Sequence, residues 1–312
     1  MSVRWLVVGI GDITTKRVLP AILDEPRSTL CGIVTRTPAK AERYRVPAWT
    51  SFDQALHEAA PDAVYIATPV SMHAPQTIAA LHAGKHVLCE KPVALDYAQA
   101  VTMRDAQIAT GQLLGIAYYR RTYPKLLRAR QLLAEGAIGR PVFAEINCHS
   151  WTPPEDRGWL IDPAMSGGGP LYDIGSHRID VLNFLFGKPA RVCGQVSNVV
   201  HQLAVEDSAT VMIEYECGVR GVVDVRWHSR VDRDDFRIIG TEGDMVLTPL
   251  NSPRLQHPGG EESWPTHRNL HFPCVANFVD AVEGLSTVAA PIEEAVVTDW
   301  VTEQVLNSHF PR

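Results

Sequence analysis

Residues 3–14 read Val-Arg-Trp-Leu-Val-Val-Gly-Ile-Gly-Asp-Ile-Thr, and this stretch decides the fold. Residues 5–8 are an unbroken apolar run, as expected of a strand buried on both faces of a parallel sheet. Gly9-Ile10-Gly11 follows without a spacer, and residues 13–23 carry a helical pattern. Strand, glycine turn and helix in that order are the context that a dinucleotide-binding turn requires. Gly9 permits the tight turn, Gly11 lets backbone approach a pyrophosphate, and the free N–H groups of the helix start face the phosphates. Ile10 and Ile13 flank that approach and join the two glycines as candidate cofactor contacts. Thr14 replaces the third glycine of the fingerprint. Asp12 brings a negative charge toward the phosphates unless it caps the helix.

Outward from this turn the chain alternates. Strands are expected at 30–35, 63–67, 86–89 and 113–117, with helical segments at 38–44, 53–60, 72–83 and 96–110 between them. That order predicts a doubly wound parallel sheet with right-handed crossovers. Ligands of such sheets bind at the carboxyl ends of the strands. Thr35, Arg36, Thr68, Pro69, His73, Glu90, Lys91 and Tyr119 all fall at or just past those ends. The carboxylate that would hold the ribose hydroxyls after the second strand is absent, and Thr35-Arg36 stands there. A hydroxyl followed by arginine accepts a 2′-phosphate that a carboxylate would repel, which favours NADP over NAD. Lys91 lies between Glu90 and Pro92 and suits stabilisation of a developing alkoxide; a surface lysine paired with Glu90 is the plainer alternative. His73 either faces the nicotinamide or lies in solvent.

From residue 122 the pattern changes. A helix is expected at 124–135, its basic residues Lys125, Arg128 and Arg130 forming a solvated face. Strands at 142–149, 190–200, 208–215, 219–227, 235–240 and 244–247 follow with few helices between them, which predicts a mostly antiparallel sheet. Residues 216–218 and 240–243 read as hairpin turns. Residues 248–274 are expected to be loop with short strands, and 275–285 and 293–308 to be terminal helices. The expected division is a Rossmann domain over 1–121 and a second, substrate and assembly domain over 122–312.

Residues 166–180, Ser-Gly-Gly-Gly-Pro-Leu-Tyr-Asp-Ile-Gly-Ser-His-Arg-Ile-Asp, interrupt the strand pattern. The glycines make a mobile or tightly turned entry, and Pro170 suits a first helical position. On a helix running to residue 185, Asp173 and His177 share a face, with Asp180 continuing the stripe. A carboxylate beside an imidazole fixes its tautomer and suits proton transfer near neutral pH. A surface helix with an Asp–His pair is the alternative. Gly175 within that helix costs about 1 kcal/mol against alanine, so a close neighbour is expected there. Trp159 is a candidate pocket wall, with Trp151 as likely to serve sheet packing.

The 312 residues are 46% hydrophobic and 21% charged, with a net charge of −6. These values fit an ordinary soluble globular protein of about two domains and disfavour nucleic acid as the main partner. No apolar run of about 18 residues suggests a membrane span. The first residues read as a strand and not as a signal peptide. Six cysteines without Cys-x-x-Cys spacing suggest mostly buried thiols of a cytoplasmic protein, and no metal site is expected.

Taken in order, the glycine turn, Ala-Thr-Pro (67–69) with His73, Ala-Gly-Lys-His-Val-Leu-Cys-Glu-Lys-Pro (83–92), Tyr119-Arg120-Arg121 with Pro124, and Gly-Gly-Gly-Pro-Leu-Tyr-Asp-Ile-Gly-Ser-His (167–177) resemble the glucose–fructose oxidoreductase, inositol dehydrogenase and rhizopine catabolism group, the Gfo/Idh/MocA family. The resemblance spans nearly the whole chain. It implies a nicotinamide-dependent oxidoreductase of sugars or cyclic polyols, with catalytic roles for Lys91, Asp173 and His177. It also implies a broad second-domain sheet through which homodimers or homotetramers form. Tyr119, Arg121, Trp159 and Asp180 are then candidate substrate contacts. Two other outcomes remain open: redox-neutral glycoside cleavage with a tightly held cofactor, and a non-catalytic NADP sensor or scaffold.

Overall fold

The computed structural model describes residues 2–153, 155 and 158–308. The chain forms two compact units, Met1–Tyr119 with His267–Val296, and Arg120–Thr266 with Val297–Arg312.

In the first unit β1 (Val3–Val8), β2 (Ser28–Val34), β3 (Ala48–Trp49), β4 (Ala63–Ile66), β5 (His86–Cys89) and β6 (Leu114–Ile116) form a six-stranded sheet in the order β3-β2-β1-β4-β5-β6. Every pairing is parallel. The strand order turns back at β1, which lies between β2 and β4 and makes the switch point of the sheet. Alternation along β1 shows why its sequence is apolar throughout. Val3, Trp5 and Val7 enter one core with Ile33, Tyr65 and Phe278, while Leu6 and Val8 enter another with Val64, Ile66 and Ile292.

Both cores draw on residues beyond 266. Val275, Phe278 and Val279 of the helix Phe272–Val282 join one, and Ala290, Ile292 and Ala295 join the other. The expected single cut after residue 121 therefore leaves with the second half a segment that completes the first unit's hydrophobic layers.

The helix expected over 13–23 is not uniform. Residues Thr14–Val18 form a wide turn in which the Leu19 N–H reaches the Thr14 carbonyl, five residues back. The α-helix Leu19–Asp24 then carries Pro20 in its first turn. Pro20 has no N–H to give the carbonyl four residues earlier, so a regular helix cannot run through this point unbroken. Residues 38–44 are two short turns, Pro38–Lys40 and Glu42–Tyr44.

In the second unit β7 (Pro141–Trp151), β8 (Pro189–Ser197), β9 (Ser208–Tyr215), β10 (Arg220–Arg226), β11 (His228–Gly240), β12 (Asp244–Val246), β13 (Arg254–His257) and β14 (Gly260–Ser263) order as β14-β13-β12-β11-β7-β10-β9-β8. Only β7 and β10 pair in parallel. β11 starts seven residues before the expected strand, because its polar run 228–235 pairs with β7 through an irregular register between His228 and Arg233. Ile146, Val211, Val225 and Phe236 are buried. Asp224 is held by His149 Nε2, Thr210 Oγ1 and Arg226 Nε, each at 2.6 Å. Against the opposing effect of burial, these donors keep its carboxyl well below the usual range.

The helix Pro124–Ala134 departs from the solvated face expected of it. Lys125 is fully buried, and its Nζ donates to the carbonyls of Leu247 at 2.8 Å and Pro249 at 2.7 Å. Arg128 pairs with Glu262 at 3.0 Å. The cysteines also depart from expectation. All six are free, but only Cys89 and Cys274 are buried, and Cys193 and Cys217 are exposed. No described helix is long and apolar enough to cross a membrane.

Burial lowers the Lys125 pKa to about 8 from an ordinary 10.5. Between those values the unfolded chain keeps a proton that the folded chain has released, so rising pH favours the fold. The neutral amine still has two hydrogens for its two carbonyls. The thermal midpoint of the wild type should therefore gain on that of Lys125→Met as pH rises from about 7 to about 10, by on the order of 2 kcal/mol in stability. A difference that stays flat or shrinks across this range would contradict the assignment.

Candidate active site

The first unit gathers the predicted cofactor residues at the carboxyl ends of its strands. Gly9, just past β1, has φ +95°, and a Cβ there would lie 2.6 Å from the Ala67 carbonyl oxygen. Only glycine meets both constraints. Gly11 differs: a Cβ there would meet no atom within 4 Å, so the backbone faces open space. Ile10 is half-buried and Ile13 exposed beside it. Asp12 does not act as a cap; it pairs with Lys16 at 2.7 Å on the surface, and that bond lowers its pKa. Thr14, in the third-glycine position, is fully buried with its hydroxyl unbonded.

At the end of β2, Thr35 is buried and its hydroxyl accepts the Thr37 N–H at 3.2 Å. Arg36 is exposed and bonds to no described residue. A glycine cradle with open space above Gly11 and no carboxylate at this strand end fits a nicotinamide dinucleotide.

His73 does not lie in solvent. It is buried, with Nδ1 2.9 Å from the Pro92 carbonyl and Nε2 3.0 Å from the Thr68 carbonyl. Two carbonyls would suit an imidazolium, but burial prevails and lowers its pKa. The neutral ring donates to one carbonyl at a time. It thus ties the segment after β4, Thr68-Pro69, to the segment after β5, which carries half-buried Lys91. Thr68 also donates its hydroxyl to Gln76 Oε1 at 2.8 Å.

Glu90 is buried. Its carboxylate accepts the Tyr65 hydroxyl at 2.8 Å, His271 Nε2 at 3.2 Å and the Lys91 N–H at 3.3 Å. Burial pushes its pKa up, but the His271 bond and charge outweigh it and the carboxyl stays below its ordinary value. The His271 ring also lies against Tyr119, centroids 4.5 Å apart. No sequence pattern marks Tyr65 or His271. Tyr65 reads as one more apolar strand residue, and no periodicity links residue 271 to residue 90.

The second unit builds the other set. Gly167, Gly168 and Gly169 are tightly turned: a Cβ on either of the first two would strike the Tyr172 ring, at 2.5 and 2.4 Å. After Pro170 comes a wide turn, Leu171–Gly175, and then the α-helix Ser176–Phe186. Asp173 sits half-buried in the wide turn and His177 is buried in the first α-helical turn. The expected single α-helical face therefore spans a change of helix type. The close approach by another element expected at Gly175 is not seen: a Cβ there would lie 3.6 Å from Val225 of β10, an ordinary contact, and its tighter neighbours, the Pro170 carbonyl and Leu171 side chain at 3.3 Å, belong to its own turn.

Two of the expected substrate contacts pair with each other. Arg121 and Asp180, each with a side chain 1% exposed, form a buried ion pair in which Nη2 and Nε reach the carboxylate at 2.7 and 3.0 Å. These charges satisfy each other. Trp159 lies on the short helical segment Gly158–Ile161 and is 38% exposed. Among the described residues, no group of three His, Cys, Asp or Glu side chains is arranged to hold a metal.

A family model described as an oxidoreductase family with an NAD-binding Rossmann fold matches residues 3–118, and one described as the GFO/IDH/MocA C-terminal domain matches residues 126–246. The chain belongs to the GFO/IDH/MocA oxidoreductase family. It is 30% identical over 310 residues to a 1,5-anhydro-D-fructose reductase of Ensifer adhaerens, a match covering 94% of this chain and 92% of the relative. It is 28% identical to a D-xylose 1-dehydrogenase [NADP(+)] of Haloarcula marismortui, covering 82% and 77%. An oxidoreductase from Thermotoga maritima shares the fold at a TM-score of 0.90 and 23% identity, covering 99% of this chain and 97% of that one. This member of the GFO/IDH/MocA family is thus an oxidoreductase with a Rossmann unit and a mostly antiparallel second unit.

His73→Ala removes a buried imidazole that lies between two backbone carbonyls at the strand ends and leaves a cavity. It should lower the unfolding free energy by about 2–3 kcal/mol, measured by urea titration. A loss under about 0.5 kcal/mol would show that the tie carries no weight.

Proposed function

We propose that the protein is an NADP(H)-dependent oxidoreductase acting on a hydroxyl or keto carbon of a sugar or cyclic polyol. The dinucleotide is held by Gly9, Ile10, Gly11, Ile13, Thr35, Arg36, Thr68, Pro69, His73, Glu90 and Lys91, partly through backbone. The bound nicotinamide supplies or accepts the hydride. Among this chain's own residues, His177 exchanges the hydroxyl proton, Asp173 orients the imidazole or a substrate hydroxyl, and Lys91 stabilises the alkoxide with its ammonium. Tyr119 and Trp159 contact substrate. Arg121 and Asp180, paired with each other, shape the substrate side.

The observation that carries the cofactor preference is the end of β2, where exposed Arg36 follows an uncharged residue. A 2′-phosphate gains a charge-assisted bond there and meets no carboxylate. The NADP(+) in the name of the Haloarcula relative is in keeping with this; the solved levoglucosan dehydrogenase that shares the fold was complexed with NADH and levoglucosan. Cytoplasmic residence and homo-oligomers formed through the second unit's sheet belong to the same reading. The six free thiols suit a reducing compartment, and light scattering measures the assembly.

The substrate class is tested with a panel of aldoses, anhydro-sugars, inositols and keto-sugars, following nicotinamide absorbance with both cofactors. The wild type should prefer NADP(H), and Arg36→Ala should lower that preference by about 10-fold or more. Equal preference in the wild type would overturn the role of Arg36. Lys91→Ala and His177→Ala should each lower kcat by ~10²–10⁴ at nearly unchanged cofactor affinity, and wild-type turnover in either would remove that residue from the chemistry.

A further inference from the structure

Glu206 stands 29 residues beyond His177 in sequence, in the segment between β8 and β9, and nothing in its local pattern marks it. In the second unit its carboxylate accepts the Gly169 N–H at 2.8 Å through one oxygen and the Leu171 N–H at 2.9 Å through the other. Both N–H groups belong to the entry of the wide turn that carries Asp173 and continues into the helix of His177. The fit is close from both sides. A Cβ on Gly169 would lie 2.0 Å from the Glu206 carbonyl oxygen, and one on Gly168 would lie 3.1 Å from its Oε2. The three glycines are thus pressed between the Tyr172 ring and Glu206, and the Ser166 hydroxyl donates to the Gly168 carbonyl at 3.0 Å.

Glu206 is itself fixed. Its neighbour Asp207 is fully buried and accepts the N–H groups of Val199, Val200 and His201 at 3.3, 2.8 and 3.0 Å. Asp207 also continues the ladder of β9 toward both neighbouring strands, donating its N–H to the Ser197 carbonyl at 2.9 Å and accepting the Trp227 N–H at 3.0 Å through its own carbonyl. The first N–H groups of a helical segment have no partner within it and carry partial positive charge. A carboxylate bridging two of them sets the position of the whole segment.

We propose that Glu206 is a positioning residue for the oxidoreductase chemistry: by clamping the Gly169 and Leu171 N–H groups, it holds Asp173 and His177 where turnover needs them. This rests on the catalytic roles assigned to those two residues. A displacement of about 1 Å in a catalytic group is enough to lower turnover about 100-fold, and a two-point clamp at the segment's start governs a displacement of that size.

The test uses Glu206→Gln and Glu206→Ala, with His177→Ala alongside. Gln keeps the volume but sets its NH₂ against one of the two N–H groups, and Ala removes both acceptors. Expected are a kcat about 10-fold lower for Glu206→Gln and about 100-fold lower for Glu206→Ala, with the KM for the nicotinamide cofactor within twofold of wild type. Amide hydrogen exchange over residues 166–173 should speed up in both. A kcat within twofold of wild type in the folded Glu206 variants, while His177→Ala is impaired, would overturn the role of Glu206 alone. Wild-type kcat in His177→Ala would instead bring down the reading it rests on. If neither Glu206 variant folds, the wild type decides. Exchange at Gly169 and Leu171 as slow as in the following helix supports the clamp, and exchange at open-loop rates refutes it.

Discussion

The first unit depends on how closely two backbones approach at its switch point. The Ala67 carbonyl leaves no room for a side chain on Gly9, and the Gly9 N–H in turn donates to the Val34 carbonyl at 2.8 Å. That glycine therefore touches the chain after β4 and the end of β2 at once, while Gly11, two residues on, faces open space. The contrast is physical. One glycine exists because the protein fills its side-chain volume, the other because something else is to come near. A tight turn leading from a buried strand to a helix start follows from these two positions.

What the sequence revealed follows from local periodicity. The parallel strands of the first unit announce themselves because both faces are buried, so their residues are apolar without alternation, as in Trp5 to Val8 and Ala63 to Ile66. The second unit's strands were legible through alternation, as in β9, where buried Ala209, Val211 and Ile213 interleave with Thr210 and Met212. Failures came where local pattern and tertiary role part. The run 228–235 is too polar to look like a strand, yet it belongs to β11. Pro20 and Gly175 lie in patterns that read as plain helix, and in both cases the chain takes a wide turn beside them.

The site was legible in its residue types and poorly legible in their partners. Lys91 and the 166–177 segment stand out by composition, but the groups that hold them lie far along the chain. Glu90 meets His271, 181 residues on, and Arg121 meets Asp180, 59 residues on. Lys125 bonds to carbonyls 122 and 124 residues away. Charged residues on a predicted helix look solvated unless a distant acceptor is known, so Lys125 was expected outside and is inside. Long-range polar pairing leaves no periodic trace, because each partner needs only one position and no pattern.

These buried pairs share a form that bears on function. A buried ion pair contributes little net stability once desolvation is counted, and removing one partner leaves a stranded charge. Arg121 with Asp180 therefore matters less as a source of stability than as a constraint on where backbone can lie, and the His271–Glu90 hydrogen bond adds another such constraint. The same holds for His73 between two carbonyls and for Glu206 across two N–H groups. In each case a side chain satisfies backbone or charged groups at the end of a strand or the start of a helix, where the ladder of regular bonds runs out. Those ends are also where Lys91 and Asp173 sit. At these points regular structure stops supplying rigidity and buried polar side chains supply it instead, which is what the roles proposed for Lys91 and Asp173 require.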